Sequence, residues 1–209
     1  MPLQNRVDPF GELFASPARG TMFGNRGGRF HTDDKTLTKR RFVSRAWICC
    51  VLEFKNRRRD VWGRYYTELF FLDEVTALAA GHRPCFECRR KDAVAFAELW
   101  GEAFKRKSRP RAAGMDEVLH RERLDGRAKR RHRRVIDDLP DGAVIAIKEG
   151  AFAVCGNVLL PWTPMGYAAH KRRPRGGMVD VLTPPAIIKV LAAGYRPRWH
   201  PSAGTLADD

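Results

Sequence analysis

The chain has 209 residues, and 44% of them are hydrophobic, which excludes a disordered polar tail and allows a buried core. Its 39 lysines and arginines against 24 aspartates and glutamates give a formal net charge of +15, which favours a polyanionic partner, nucleic acid before an anionic membrane surface. Because no apolar run could span a bilayer and the N-terminus lacks an apolar signal core, we expect a cytoplasmic protein without a membrane partner.

The first half of the chain alternates apolar runs with basic, glycine-containing turns. Residues 23–31 are rich in glycine and arginine, and they predict a loop that can approach phosphate closely. The apolar runs 46–54 and 65–72 predict two strands, and the turn between them carries the basic run 57–59. We therefore expect an antiparallel hairpin with a basic tip.

Two helices are predicted next, on either side of a cysteine turn. Asp73 is a good N-cap for a helix over residues 74–80, and Gly81 is a good residue to end it. Residues 92–104 carry apolar side chains at helical spacing. Between the two helices lies a Pro-Cys-x-x-Cys turn.

The second half opens with a basic segment and then becomes rich in strand signals. Residues 115–134 predict a helix whose second part is the densest positive segment of the chain. Residues 143–160 predict a β-meander, and 178–182 predict a further strand. A last helix is predicted over 186–193, with proline in its first turn.

These elements predict an α+β fold in two units. Residues 1–108 would form a zinc-knuckle domain made of a β-hairpin and helices. Residues 109–209 would form a basic helix and a small antiparallel β unit with a C-terminal helix. The two units could pack as one body.

Cys85 and Cys88 have the spacing at which two thiolates can hold one tetrahedral metal ion. The chain has five cysteines, an odd number, and no export signal, which favours metal binding over disulfides. A redox CxxC normally opens a helix in a βαβ unit, whereas this one follows a helix. We therefore expect Zn²⁺ as the cofactor.

A structural zinc site needs four ligands, so two more must come from elsewhere in the chain. Cys50 is the predicted third ligand, because adjacent strand residues point to opposite faces and Cys49 would then face away. His31 is the preferred fourth ligand. His82 and Cys49 remain alternatives, the latter if the strand is bulged.

The stretch around the cysteine turn also carries a family signal. Its matching segments are residues 70–74, 77–81, 83–85 and 88–89. They resemble the end of the N-terminal zinc domain of the bacterial Ada adaptive-response protein. In that family four cysteines hold zinc, so the resemblance implies that Cys85 and Cys88 are its last two ligands. The family's first, spaced pair, which includes a cysteine that accepts a methyl group from a DNA phosphotriester, is replaced here by adjacent Cys49 and Cys50.

The basic residues around the knuckle, the hairpin tip and the basic helix are the candidates for phosphate contact. They are Arg57, Arg58, Arg59, Arg83, Arg89, Arg90, Arg130, Arg131, Arg133 and Arg134. The sequence thus predicts a zinc-binding protein that binds nucleic acid, DNA rather than RNA, in repair or processing. The alternatives are a metal-dependent nuclease or phosphotriester-repair enzyme, and a structural zinc protein with a protein partner. No catalytic residue is predicted.

Overall fold

A computed structural model describes residues 1–58 and 60–206 of the chain. Arg59, one of the predicted phosphate-binding residues, lies outside the described residues. Within them the chain is mixed α+β, as predicted, with fifteen strands, four α-helices and two short 3-10 helices. None of these helices has the length and apolar character needed to cross a membrane.

The strands are short and are numbered in chain order. They are β1 (Arg6–Val7), β2 (Leu13–Phe14), β3 (Met22–Asn25), β4 (Ile48–Val51), β5 (Leu69–Phe71), β6 (Arg83–Pro84), β7 (Leu124–Asp125), β8 (Ala128–Lys129), β9 (His132–Val135), β10 (Val144–Ile147), β11 (Gly150–Cys155), β12 (Val158–Thr163), β13 (Gly166–Tyr167), β14 (Lys171–Arg172) and β15 (Met178–Val181). The helices are α1 (Glu74–Ala79), α2 (Arg90–Ala103), α3 (Ala112–Arg123) and α4 (Pro185–Ala192), with 3-10 turns at Ile136–Asp138 and Pro201–Leu206.

The first sheet has six strands in the order β2-β1-β5-β3-β4-β6. The predicted hairpin between β4 and β5 is wrong, because β3 lies between them and pairs antiparallel with both. Gly24 makes this possible, since a Cβ there would lie 2.1 Å from the carbonyl oxygen of Ile48. The segment that the sequence predicted as a glycine-rich loop therefore begins with the strand at the centre of the sheet.

The second sheet contains the predicted meander, in which β10, β11 and β12 pair antiparallel in succession. On the free side of β10 the sheet continues through β15 to β9, and β13 and β14 pair with β12. The predicted strand near 178–182 and the predicted C-terminal helix are present as β15 and α4.

The predicted basic helix over 115–134 is wrong in its second half. Helix α3 ends at Arg123, and the chain turns through Gly126 with a φ of +59° in the β7–β8 hairpin. Two residues later it forms β9. In β9, Arg133 lies opposite Asp180 of β15. A strand partner distant in sequence thus overrides the local helical preference of this segment.

Helix α1 is the one α-helix of the described chain in which every residue is buried. Val75 packs with the second sheet, Leu78 packs with the cluster formed by α2, α3 and α4, and Ala77 packs with the first sheet. Side chains from both sides of residue 108 therefore share hydrophobic clusters. The division into 1–108 and 109–209 stays a prediction.

The N-cap of α1 joins distant parts of the chain. Asp73 accepts the predicted cap hydrogen bond from the Thr76 amide at 2.8 Å and a second one from the Thr76 hydroxyl at 2.8 Å. Its other oxygen accepts from the Tyr167 hydroxyl at 2.8 Å and from the His200 amide at 3.0 Å. Burial raises the pKa of this carboxyl group. The same side chain thus caps a helix and fixes β13 and the C-terminal segment against it.

We expect Asp73→Ala to lower the free energy of unfolding by about 3 kcal/mol, because it removes a helix cap and leaves buried donors without an acceptor. Urea denaturation measures this change. The control is Asp138→Ala at an exposed carboxylate, for which we expect a change within about 0.5 kcal/mol. Equal effects of the two substitutions would contradict this role of Asp73.

Candidate metal centre

Strand β4 presents its two cysteines to opposite faces of the first sheet, as the strand geometry predicts. Cys49 is fully buried and packs with Leu69, Phe71 and the α1 side of the sheet. Cys50 lies on the other face, in a cluster with Phe23 and Cys85. Cys50 is therefore the cysteine of this pair that meets the CxxC turn.

The CxxC turn is attached to β4 through backbone hydrogen bonds. Strand β6 pairs parallel with β4, and the Cys85 amide then donates to the Cys49 carbonyl at 3.0 Å. The Glu87 amide approaches the Cys85 sulfur at 3.4 Å, and the Arg89 amide donates to the Cys85 carbonyl at 3.0 Å as the chain enters α2. The turn is thus held between a strand and a helix start.

This arrangement brings three thiols together. The Sγ atoms of Cys50, Cys85 and Cys88 all lie within 4.8 Å of one another. Thiolates that hold one Zn²⁺ at about 2.3 Å in tetrahedral geometry are about 3.8 Å apart, a separation that lies within this limit. The structure therefore contains a group of three cysteines that could hold a metal.

Hydrogen bonds among the thiols also shift their acidity. Hydrogen bonds with Cys50 and Cys88 lower the pKa of the Cys85 thiol well below its usual value. Hydrogen bonds with Cys85 and Cys88 raise the pKa of the Cys50 thiol. The three sulfur atoms thus share hydrogen bonds with one another. A metal ion would replace the shared protons, since thiolates are the ligating form.

The structure does not bring His31 to this group. Its Nδ1 lies 2.7 Å from the Thr67 hydroxyl, its Nε2 lies 3.1 Å from the Gly63 carbonyl, and its ring stacks on Trp62. Both ring nitrogens therefore have protein partners, and His31 fixes the loop after β4 to the loop after β3. As a fourth ligand, His31 would have to give up one of these bonds.

The two alternative fourth ligands also lie outside the three-thiol group. His82 is fully buried, with its ring 4.7 Å from that of Phe71 and its Nε2 within 3.4 Å of the Arg26 Nε. The Cys49 sulfur is 3.6 Å from Arg89 Nη1 on the far face of β4. Among the described residues, the group that could hold an ion therefore has three members.

All three thiols line a cavity of about 560 Å³. Its walls also include the aromatic side chains of Phe54, Tyr65 and Tyr66 and the guanidinium groups of three arginines, Arg57, Arg58 and Arg64. Acidic side chains, among them Asp60 and Glu87, contribute as well, and Glu87 pairs with Arg57 at 2.6 Å. A ligand in this cavity can thus reach an ion held by the thiols.

Two predicted phosphate-binding residues are corrected by the structure. Arg83 is buried and donates to both carboxylate oxygens of Asp116 at 2.8 Å. Arg89 is buried and pairs with Glu74 at 2.7 Å and with Asp92 at 2.8 Å. Carboxylates from three helices therefore neutralise these two guanidinium groups, which are not accessible to a phosphate.

The other predicted arginines among the described residues are exposed. They are Arg57, Arg58, Arg90, Arg130, Arg131, Arg133 and Arg134. Arg57 and Arg58 border the thiol-lined cavity, while the last four lie on or beside β8 and β9. Arg131 and Arg133 approach Asp180 only loosely, at 3.8 Å and 3.6 Å. Their contact with nucleic acid stays a prediction.

The sequence reading missed the aromatic residues of the cavity. Tyr65 and Tyr66 fall within the predicted strand 65–72, but β5 begins only at Leu69, and Tyr65 is 71% exposed. A run of aromatic residues next to Arg64 resembles the start of a strand. The unusual exposure of two adjacent tyrosines becomes visible only in the folded chain.

Comparison with protein-family models, with curated proteins and with solved structures finds no match to this chain. The resemblance to the Ada zinc domain therefore stays an expectation from the residues of the cysteine turn.

We expect the purified protein to contain close to one zinc per chain and Cys85→Ser to lose most of it, because two thiolates hold zinc far more weakly than three. Elemental analysis by mass spectrometry measures the ratio. Cys155→Ser is the matched control, since Cys155 lies in β11, outside the thiol group. His31→Ala should also keep its zinc. Full zinc content in Cys85→Ser would contradict the assigned centre.

Proposed function

We propose that this chain is a zinc-binding protein that binds nucleic acid, DNA in the first instance, at the surface around the thiol-lined cavity. The observation that carries the proposal is the convergence of Cys50, Cys85 and Cys88 within 4.8 Å at a cavity bordered by arginines. Soft thiolate ligands in a tetrahedral arrangement suit Zn²⁺ better than a hard cation such as Mg²⁺.

The composition of the cavity walls supports nucleic acid as the partner. Arg58 and Arg64 are exposed there, and Tyr65 and Tyr66 present exposed rings beside them. Guanidinium groups bind phosphate, and exposed aromatic rings stack on bases, which is the combination used by proteins that bind unpaired nucleotides. The net charge of +15 adds a long-range attraction for the same partner.

The Ada-like turn supports a role in DNA repair or processing. Its Ala-Ala-Gly-x-Arg-Pro-Cys-x-x-Cys pattern resembles a zinc turn of a DNA-repair protein, and it contains two of the three thiols found together here. The adjacent Cys49 lies on the opposite face, so the present site differs from a four-cysteine centre.

We expect DNA affinity to fall steeply with salt. For each tenfold increase in salt concentration, log K should decrease by about 0.9 per neutralised phosphate for a duplex and by about 0.7 for a single strand. The double variant Arg58→Ala/Arg64→Ala should weaken binding and reduce this slope by about 2, because it removes two phosphate contacts. Fluorescence anisotropy with labelled DNA at several salt concentrations measures both quantities.

The matched control is Arg106→Ala/Arg196→Ala, which removes two exposed arginines that do not line the cavity. It should leave the slope nearly unchanged. Binding that is insensitive to salt, or two double variants with the same slope, would contradict the proposed surface.

A second candidate function is favoured by the number of ligands. Catalytic zinc sites typically use three protein ligands and keep the fourth position for water or substrate, and the three thiols here line an open cavity. An enzyme acting on DNA phosphodiesters or phosphotriesters would fit. Incubation of the zinc-loaded protein with plasmid DNA and with methylphosphotriester DNA distinguishes such an enzyme from a protein that only binds DNA. Cleavage or methyl transfer that is lost in Cys85→Ser would favour the enzyme, and binding alone would favour the first proposal.

A further inference from the structure

A second cationic site lies around the buried indole of Trp47 and includes none of the three grouped thiols. The guanidinium carbons of Arg26 and Arg123 each lie 3.9 Å from the centroid of this ring. Arg26 is 1% exposed and Arg123 is fully buried, and Lys129 lies against the same region. Three positive side chains are thus gathered in and at the edge of the core.

These three cations bind backbone carbonyls instead of carboxylates. Arg26 donates to the Gly11 carbonyl at 2.9 Å, Arg123 donates to the Gly81 carbonyl at 3.0 Å and to the Arg45 carbonyl at 2.8 Å, and Lys129 donates to the Ala79 carbonyl. Within the described part of the chain, none of the three has an ion pair. A buried charge without a counter-ion is strongly unfavourable in proteins.

The fold itself positions Arg123 at this place. Gly81 follows α1 with a φ of +88°, and a Cβ on it would lie 2.7 Å from the Arg123 side chain. A glycine is therefore needed for both the backbone conformation and the close approach. The last carbonyls of α1 carry the negative end of the helix dipole, which offsets part of the positive charge that no carboxylate neutralises.

The cationic side chains line a small cavity of about 20 Å³, enough for one water-sized group. Among the described residues, Arg41 and Arg127 complete the five cations around it, and Glu12, which pairs with Arg41, is the one lining carboxylate. Arg41, Leu124 and Arg127 also line an outer groove of about 500 Å³, to which Lys39 and Arg40 contribute. The small cavity and the groove are thus adjacent and basic.

One polar atom among the cations has no partner. The Nε of Arg123 is buried and makes no hydrogen bond within the described structure. Burial and the neighbouring cations lower the pKa of Arg26 to about 9, and burial lowers the pKa of Arg123 to about 9 and that of Lys129 to about 7. The partly buried Asp8 faces the same cluster, but burial raises its own pKa to about 6. An additional anion would offset this excess positive charge.

We propose that this cavity and the groove next to it form a phosphate-binding site, in which one phosphate oxygen enters the cavity between Arg26, Arg123 and Lys129. The remaining oxygens would lie in the groove against Arg41 and Arg127. The site shares no residue with the group of three thiols and does not depend on a metal. Its phosphate can come from a nucleic-acid backbone, which rests on the proposed function, or from a small phosphorylated molecule.

Titration calorimetry with inorganic phosphate tests the site, at an ionic strength held constant with chloride. We expect saturable binding at one site per chain. Arg127→Ala and Arg41→Ala should each weaken phosphate binding about tenfold, the loss typical of one charge-assisted hydrogen bond. Arg106→Ala, at an exposed arginine outside the groove, is the matched control and should bind like the unmodified chain. Arg41 and Arg127 are not in the core, so these variants should fold, which thermal unfolding verifies.

Further measurements distinguish a nucleic-acid phosphate from a small phosphorylated ligand. They also test whether phosphate binding depends on the metal. If phosphate competes with DNA, and Arg127→Ala has a lower affinity for each of them, the phosphate that the site binds is that of a nucleic-acid backbone. Binding of phosphate and a 5′-mononucleotide without effect on DNA supports a small phosphorylated ligand. Cys85→Ser should keep its phosphate affinity, so loss of zinc and loss of this site are distinguishable. The absence of saturable phosphate binding, or equal affinities in Arg127→Ala, Arg41→Ala and Arg106→Ala, would overturn the proposal.

Discussion

The buried ion pair between Glu74 and Arg89 is the interaction on which the arrangement of the chain depends. Both side chains are almost inaccessible to solvent and their charged groups lie 2.7 Å apart. Glu74 also accepts from the Tyr195 hydroxyl at 2.7 Å and from the Arg198 amide at 2.9 Å. Because Arg89 directly follows Cys88, the same pair fixes the cysteine turn to α1 and to the C-terminal segment. Leaving either charge buried alone would be unfavourable by about 3–5 kcal/mol.

The features that could be predicted from the sequence are those whose signals are local. The Asp73 cap and the Gly81 stop define α1, and the apolar periodicity of residues 92–104 defines α2. The alternation of side chains along a strand was sufficient to choose Cys50 over Cys49. These parts of the fold and of the site depend on neighbours within a few residues, which a sequence displays directly.

The features that could not be predicted depend on partners far along the chain. Arginine next to a cysteine turn looks like a phosphate ligand, and only the fold shows that Asp116 neutralises Arg83 and that Glu74 neutralises Arg89. The basic run after Arg123 looks helical until β15 supplies a strand partner. In the same way, nothing next to His31 in the sequence shows that its two ring nitrogens form hydrogen bonds with Thr67 and Gly63.

The separation of the three thiols along the chain has a consequence for the unfolded state. Cys50 and Cys85 enclose a segment that contains β5 and the whole of α1. An ion held by both would act as a cross-link that closes a loop of about 35 residues, which on the chain-entropy model disfavours the unfolded chain by about 4 kcal/mol. The metal would thus restrict, in the unfolded chain, the segment that forms the fully buried helix α1 of the folded protein.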